Sequence, residues 1–162
     1  MNIVQGASLA AAIGLLAGTA AFAPAGAQEA KVITLTQTGC QFVESENGVD
    51  LGYKPESAED CKKINAETGA DRLKEAGALT LEPGKYIFRV TNKNVPYELG
   101  FWLRESDYNP SNPLHKLSKT SVSGGGLEPG VTHDYEVTLE EGTDYVYSCP
   151  LNPTPDYRIV VQ

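Results

Sequence analysis

Tyr145-Val-Tyr-Ser-Cys149-Pro-Leu-Asn-Pro-Thr-Pro155-Asp-Tyr-Arg-Ile159-Val-Val161 closes the chain with two β-prone runs around a loop that opens on a cysteine. Tyr145 to Ser148 and Arg158 to Val161 carry the aromatic and β-branched residues that suit a pleated, half-buried surface. Pro150, Pro153 and Pro155 stand between them. Each proline fixes one backbone angle, so the loop is stiff and Cys149 is held in one place.

The same pattern extends upstream. Lys31-Val-Ile-Thr-Leu-Thr-Gln37 alternates apolar and polar residues, as a strand with one buried face does. Ala78 to Leu81 runs into the turn signal Glu82-Pro-Gly84, and Tyr86-Ile-Phe-Arg-Val-Thr91 follows as a strongly β-prone run. Tyr97 to Leu103 is a further strand rich in aromatics, and Ser118 to Val122 a short one. Gly124-Gly-Gly-Leu-Glu-Pro-Gly130 is expected to turn. Thr132 to Leu139 alternates again. About seven short strands between Gly/Pro turns predict an all-β chain, a Greek-key β-sandwich.

One segment departs from this period. Ser57-Ala-Glu-Asp60 has the form of a helix N-cap followed by acidic residues in the first turn. Cys61, Ile64, Thr68 and Leu73 follow at near-helical spacing. The reading is an inserted helix over residues 57–75, broken near Gly69. A second irregular segment is Glu105 to Lys116, which contains Pro110 and Pro113.

Residues 1–27 read as a secretory signal peptide. An apolar run from Leu9 to Ala23 ends in Pro24-Ala25-Gly26-Ala27, a small-residue cleavage pattern after Ala27. The mature domain is then Gln28 to Gln162, and its expected location is the periplasm. No stretch of the mature chain is long enough to cross a bilayer. The net charge of -8 excludes a nucleic-acid partner, which calls for clustered Lys and Arg.

An oxidising compartment permits one disulfide among Cys40, Cys61 and Cys149, with one thiol left over. Two pairings stay open. Cys40–Cys61 would close a loop of about 22 residues, worth roughly 3 kcal/mol in the chain-entropy picture. Cys40–Cys149 would instead tie the first strand to the closing loop. The unpaired sulfur could ligate copper, zinc or iron as a thiolate. His115, in the irregular segment, is the candidate nitrogen ligand, while His133 reads as an exposed strand residue. Glu98 is an unusual carboxylate inside an apolar run; Arg89 and Arg104 are its candidate partners. No hydrolase elbow, zinc-protease helix or phosphate loop occurs, and no enzymatic role is expected.

In order and spacing, several of these motifs resemble cupredoxin-like domains. They run from Thr34-Leu-Thr-Gln-Thr-Gly-Cys40, through Leu81-Glu-Pro-Gly-Lys-Tyr-Ile-Phe-Arg-Val-Thr-Asn92 and Leu127-Glu-Pro-Gly130, to Tyr145-x-Tyr-x-Cys149 with Ile159-Val-Val161. The likeness is greatest to the EfeO-type domain of a periplasmic iron-uptake component. It covers most of the chain after the signal, apart from an insertion at about residues 44–77. The resemblance implies a metal-binding set of Cys40 and Cys149 with acidic residues nearby, Glu98 among them; His115 is the added candidate. It implies a copper ion, with iron as the alternative, and no metal if both Cys40 and Cys149 are spent in disulfides. The closing loop has no His and no Met after Cys149, so blue-copper electron transfer is not expected. The expected function is periplasmic transition-metal binding. The alternative is a metal-free interaction or structural module of the cell envelope, with an envelope protein as partner.

Overall fold

The computed structural model describes residues 29–115 and 121–162. The expected signal segment and the residues 118–120 of the expected short strand lie outside them. The described chain is a β-sandwich of two mixed sheets with one inserted helix. This is the all-β sandwich with an inserted helix that the sequence predicts.

The first sheet holds β1 (Lys31–Thr38), β2 (Gln41–Phe42), β4 (Gly84–Asn92) and β7 (Thr132–Leu139), in the order β2-β1-β4-β7. The second holds β3 (Ala78–Leu81), β5 (Leu99–Glu105), β6 (Val122–Leu127), β8 (Asp144–Ser148) and β9 (Tyr157–Val161), in the order β3-β9-β8-β5-β6. β1 runs parallel to β4, with Lys31 opposite Tyr86 and Gln37 opposite Asn92. β3 runs parallel to β9. A parallel pair cannot be joined by a tight hairpin, so each needs a crossover. The connection from β2 to β3 carries helix α1 (Ala58–Ala76) from the edge of the first sheet to the edge of the second.

Alternation on both sheets turns one set of side chains inward. Phe42, Tyr86, Phe88, Phe101, Tyr135, Tyr147 and Tyr157 meet there with Leu35, Leu99, Leu103 and Ile159. The rings pack edge-on or offset: Phe42 and Phe101 at 6.1 Å and 83°, Phe88 and Phe101 at 5.6 Å and 26°. Those are the geometries the ring quadrupole favours. The buried hydroxyls find partners at the rim. Tyr86 donates to the Glu82 carbonyl at 2.9 Å, Tyr145 accepts from the Glu140 amide at 3.0 Å, and Tyr147 meets Ser45 Oγ at 2.5 Å.

Two local expectations are corrected. Gly124–Gly126 belongs to β6 and is not a turn. A Cβ on Gly124 would stand 2.9 Å from the Tyr135 ring, and a Cβ on Gly100 would stand 2.8 Å from the Gly124 carbonyl. The glycines are there because β6 lies against an aromatic ring on one side and a neighbouring backbone on the other. Helix α1 also runs unbroken through Gly69, which is buried against Pro155 at a Cβ distance of 3.6 Å.

The helix has only a weak apolar face, and its inward residues include Cys61, Gly69 and Arg72. A helix of that kind is not held by burial alone. Arg72 supplies the main tie. Its guanidinium donates to Glu46 through Nε at 3.1 and 3.0 Å and through a terminal nitrogen at 2.6 Å, and it also reaches the Cys40 carbonyl at 3.0 Å. Tyr157 donates to the same Glu46 carboxylate, and Gln41 Nε2 approaches it at 3.3 Å. Burial pushes against the charge on Arg72, but the Glu46 carboxylate prevails, and the pKa of Arg72 is raised. The tyrosine hydroxyl of Tyr157 is pushed up by its burial and by Glu46. No described helix is long and apolar enough to cross a membrane.

Candidate functional site

Cys149 directly follows β8 and sits 1% exposed beneath Gly100 of β5. Its sulfur accepts the Gly100 amide at 3.3 Å and the Asn152 amide at 3.2 Å. The stiff loop makes this possible: Thr154 Oγ1 accepts the Cys149 amide at 3.0 Å, closing the turn behind the sulfur. Burial pushes the thiol above its ordinary range, and the backbone amides of Gly100, Asn152 and Leu151 oppose that only in part. Cys149 is therefore a protonated, enclosed thiol, the least reactive form of the side chain.

Cys40 and Cys61 form a disulfide with an S–S distance of 2.07 Å. Of the two open pairings the structure has the one that binds the helix to the sandwich. Cys40 has positive φ, at 62°, and follows Gly39, whose Cβ would collide with the Tyr53 carbonyl at 2.3 Å. That tight corner turns the Cys40 side chain toward α1.

The residue that ties these parts together is Asn152, which sequence reasoning did not single out. It is fully buried. Its Oδ1 accepts from the Cys40 amide at 3.1 Å and from the Tyr97 hydroxyl at 3.3 Å, and Cys61 Sγ lies 2.9 Å from it. Its Nδ2 donates to the Thr38 carbonyl at 3.0 Å. One asparagine thus joins β1, the disulfide and the Cys149 loop. The available signal was an amide side chain between two prolines of a loop that opens on a cysteine. Asn92 does similar work for the loop before β5: its Nδ2 donates to the carbonyls of Val95, Tyr97 and Leu127.

The other candidates fall elsewhere. Glu98 is exposed and its Oε1 accepts the Gly126 amide at 2.6 Å, pinning the glycine strand. Its expected arginine partners are engaged by others: Arg89 pairs with Asp134, and Arg104 with Asp156, each at 2.8 Å. His115 Nδ1 accepts the Asn109 amide at 3.0 Å, and its ring packs 5.7 Å from Tyr108. The pair organises the irregular segment after β5. His133 is exposed on β7, beside Gly126. Among the described residues no three of the His, Cys, Asp and Glu side chains gather into a metal-holding group.

The implied copper can be tested against the donors beside Cys149. Gln37 crosses the core so that its Nε2 donates to the Gly100 carbonyl at 2.8 Å, and its Oε1 is buried without a hydrogen-bond partner. An amide oxygen stands where a copper–thiolate centre needs imidazoles, while His115 and His133 lie elsewhere, against Asn109 and Gly126. The donor set does not fit that group.

A surface feature lies directly above the thiol. On the outer face of the second sheet, Gly100, Gly125 and Ser123 floor an open depression of about 460 Å3 between Trp102, Tyr108 and the Pro150–Leu151 turn. Arg104 stacks on Trp102 at 3.9 Å, and Tyr108 meets the same ring edge-on at 5.6 Å. Leu151 is 43% exposed.

No family model and no curated protein matches the chain. Among solved structures, auracyanin B overlays with a TM-score of 0.47 at 8% identity, over 82% of this chain and 89% of that one. A laccase from Pediococcus acidilactici overlays with a TM-score of 0.39 at 12% identity, over 94% of this chain but 29% of the laccase. Neither likeness bears on what this chain binds.

Proposed function

We propose that this protein is an exported, cupredoxin-like interaction module of the cell envelope, acting without catalysis and without a resident metal. The observation that carries the reading is the state of the three cysteines. Cys40 is committed to Cys61, and Cys149 is buried beneath Gly100 with its sulfur accepting two backbone amides. Export to the periplasm is supported by the apolar N-terminal run with its cleavage pattern, and by a disulfide that an oxidising compartment would preserve. What remains open to a partner is surface, and the outer face of the second sheet offers aromatic rings around a bare backbone floor.

The test sets the two expected functions against each other. The oxidised protein competes with a chromophoric chelator for Cu(I), alongside Cys149→Ser. The expected result is that both proteins leave the chelator complex equally intact. Stoichiometric copper uptake that Cys149→Ser abolishes would establish metal binding instead and overturn the module reading.

A further inference from the structure

We infer that the open seam between β1 and β3 binds a small, neutral ring compound with one acceptor oxygen, of the size of a phenol. The inference goes beyond the module reading and makes no use of Cys149. The two sides of the sandwich differ. On one side the sheets meet, β6 against β7. On the other, β2 pairs only with Gln37 and Thr38, so the earlier part of β1 is itself the edge of the first sheet. There a cleft of about 190 Å3 opens between β1 and β3 and reaches the core. The short helical turn Glu44–Glu46 and the last residue of α1 line it as well.

Three observations set the occupant. The first is the walls. Ile33, Ala76 and Leu79 pack against the core yet are only half-buried, so the cleft leaves apolar surface in water. Covering that surface favours an apolar ligand. An apolar cavity of about 150 Å3 is enough to hold benzene, so this cleft has room for a ring with one substituent. Its inner wall is aromatic: Tyr147 and Tyr157 stack at 5.5 Å and 29°. A ring ligand can pack on them offset or edge-on.

The second is a single polar point. Ser45 and Tyr147 both line the cleft, and their hydroxyl oxygens lie 2.5 Å apart. Two hydroxyls carry two hydrogens, and their shared bond uses one. Among the described residues neither oxygen has a further partner, so the pair has one O–H to offer an acceptor oxygen. The third is charge at the mouth. Glu44 accepts from the Thr36 amide and hydroxyl at 2.6 and 2.7 Å, and Arg158 faces Asp144 at 3.5 Å. Each charge already has a partner, so none is left to offset the desolvation of an ionic ligand. The occupant is therefore neutral.

The probe is para-fluorophenol, titrated into the intact protein and followed by fluorine NMR. A saturable shift at millimolar concentration is expected, because the bound ring lies beside Tyr147 and Tyr157. Para-fluorobenzoate, which is charged, should give none. Ala76→Phe places a ring in the cleft from the end of α1 and should abolish binding, with the fold checked by circular dichroism. Ser45→Ala combined with Tyr147→Phe removes both hydroxyls. Affinity for para-fluorophenol should then fall about fivefold, the worth of one hydrogen bond, while para-fluorotoluene binds as before or more tightly. No saturable shift would overturn the inference. So would an equal shift with the benzoate, an unchanged affinity in Ala76→Phe, or an equal fall for both neutral compounds in the double variant. If the double variant does not fold, Ala76→Phe and the benzoate comparison still decide. Failure of the module reading looks different, because it appears as Cys149-dependent copper uptake whatever the ring compounds do.

Discussion

Between the sheets, Phe101 lies among Phe42, Phe88, Tyr135 and Tyr147, and nothing but apolar contact fixes it. Under helix α1, Leu73 and Ala76 add a little apolar packing, but the specific ties are polar or covalent: Arg72 on Glu46, Asn65 on the Pro153 carbonyl, and a disulfide. The sandwich has two broad apolar faces to bury. The inserted helix has no such face and is attached by geometry-specific ties. Burial tolerates small shifts, because it is non-directional. An ion pair and a disulfide do not, so they fix where the helix sits and, through Asn152, where the Cys149 loop sits.

The contrast can be broken most strongly from the core. Phe101→Ala should destabilise the protein toward the upper end of the roughly 3–5 kcal/mol typical of such truncations. In urea unfolding, helix and sheet signals should be lost together. Arg72→Ala should cost about 3 kcal/mol, as when one partner of a buried pair is removed. The cost falls short of the core substitution because Tyr157 and Gln41 still reach Glu46. Hydrogen exchange should quicken in α1 before the sheets; uniform loss of protection would show that helix and sandwich unfold as one unit. Removing the disulfide with Cys40→Ser and Cys61→Ser should cost up to about 3 kcal/mol, for a closure spanning 21 positions. Far-ultraviolet dichroism should then show helix loss at lower temperature than sheet loss. Ser57→Ala, at the N-cap, should cost about 1 kcal/mol, read as a small fall in the melting temperature.

Stability should also depend on pH above about 10. Burial pushes the hydroxyls of Tyr97, Tyr135 and Tyr147 up to about 12, from the usual 10.0. Each is neutral in the fold, and its raised pKa adds stability that is complete below about pH 10. That contribution drains away as pH rises toward about 12. The urea midpoint should therefore hold to about pH 10 and then fall, while tyrosine ionisation followed by absorbance coincides with unfolding. A midpoint that is flat to pH 12 would refute the assignment.

Much of the fold was legible residue by residue. β7 occupies the Thr132–Leu139 alternation, and α1 starts after Ser57, where Asp60 accepts from the Ser57 amide and hydroxyl at 3.0 Å. These elements are written in local periodicity and capping. The Gly124–Gly126 strand was not, because Gly124 answers to Tyr135 from the opposite sheet and Gly125 to the Glu98 carboxylate. Glu46 gave no signal either; its value depends on Arg72, 26 positions away.

The candidate site divides in the same way. The chain by itself determined that a stiff, proline-bound loop would hold one cysteine at the end of a strand. It also determined that no His or Met would follow. Only the tertiary structure decided which sulfur was left over. Pairing is a matter of which Cα atoms come within reach, and Cys40 and Cys61 stand 5.0 Å apart once Arg72 has docked the helix. The same packing buried Cys149 beneath a glycine and set a depression walled by Trp102 and Tyr108 above it.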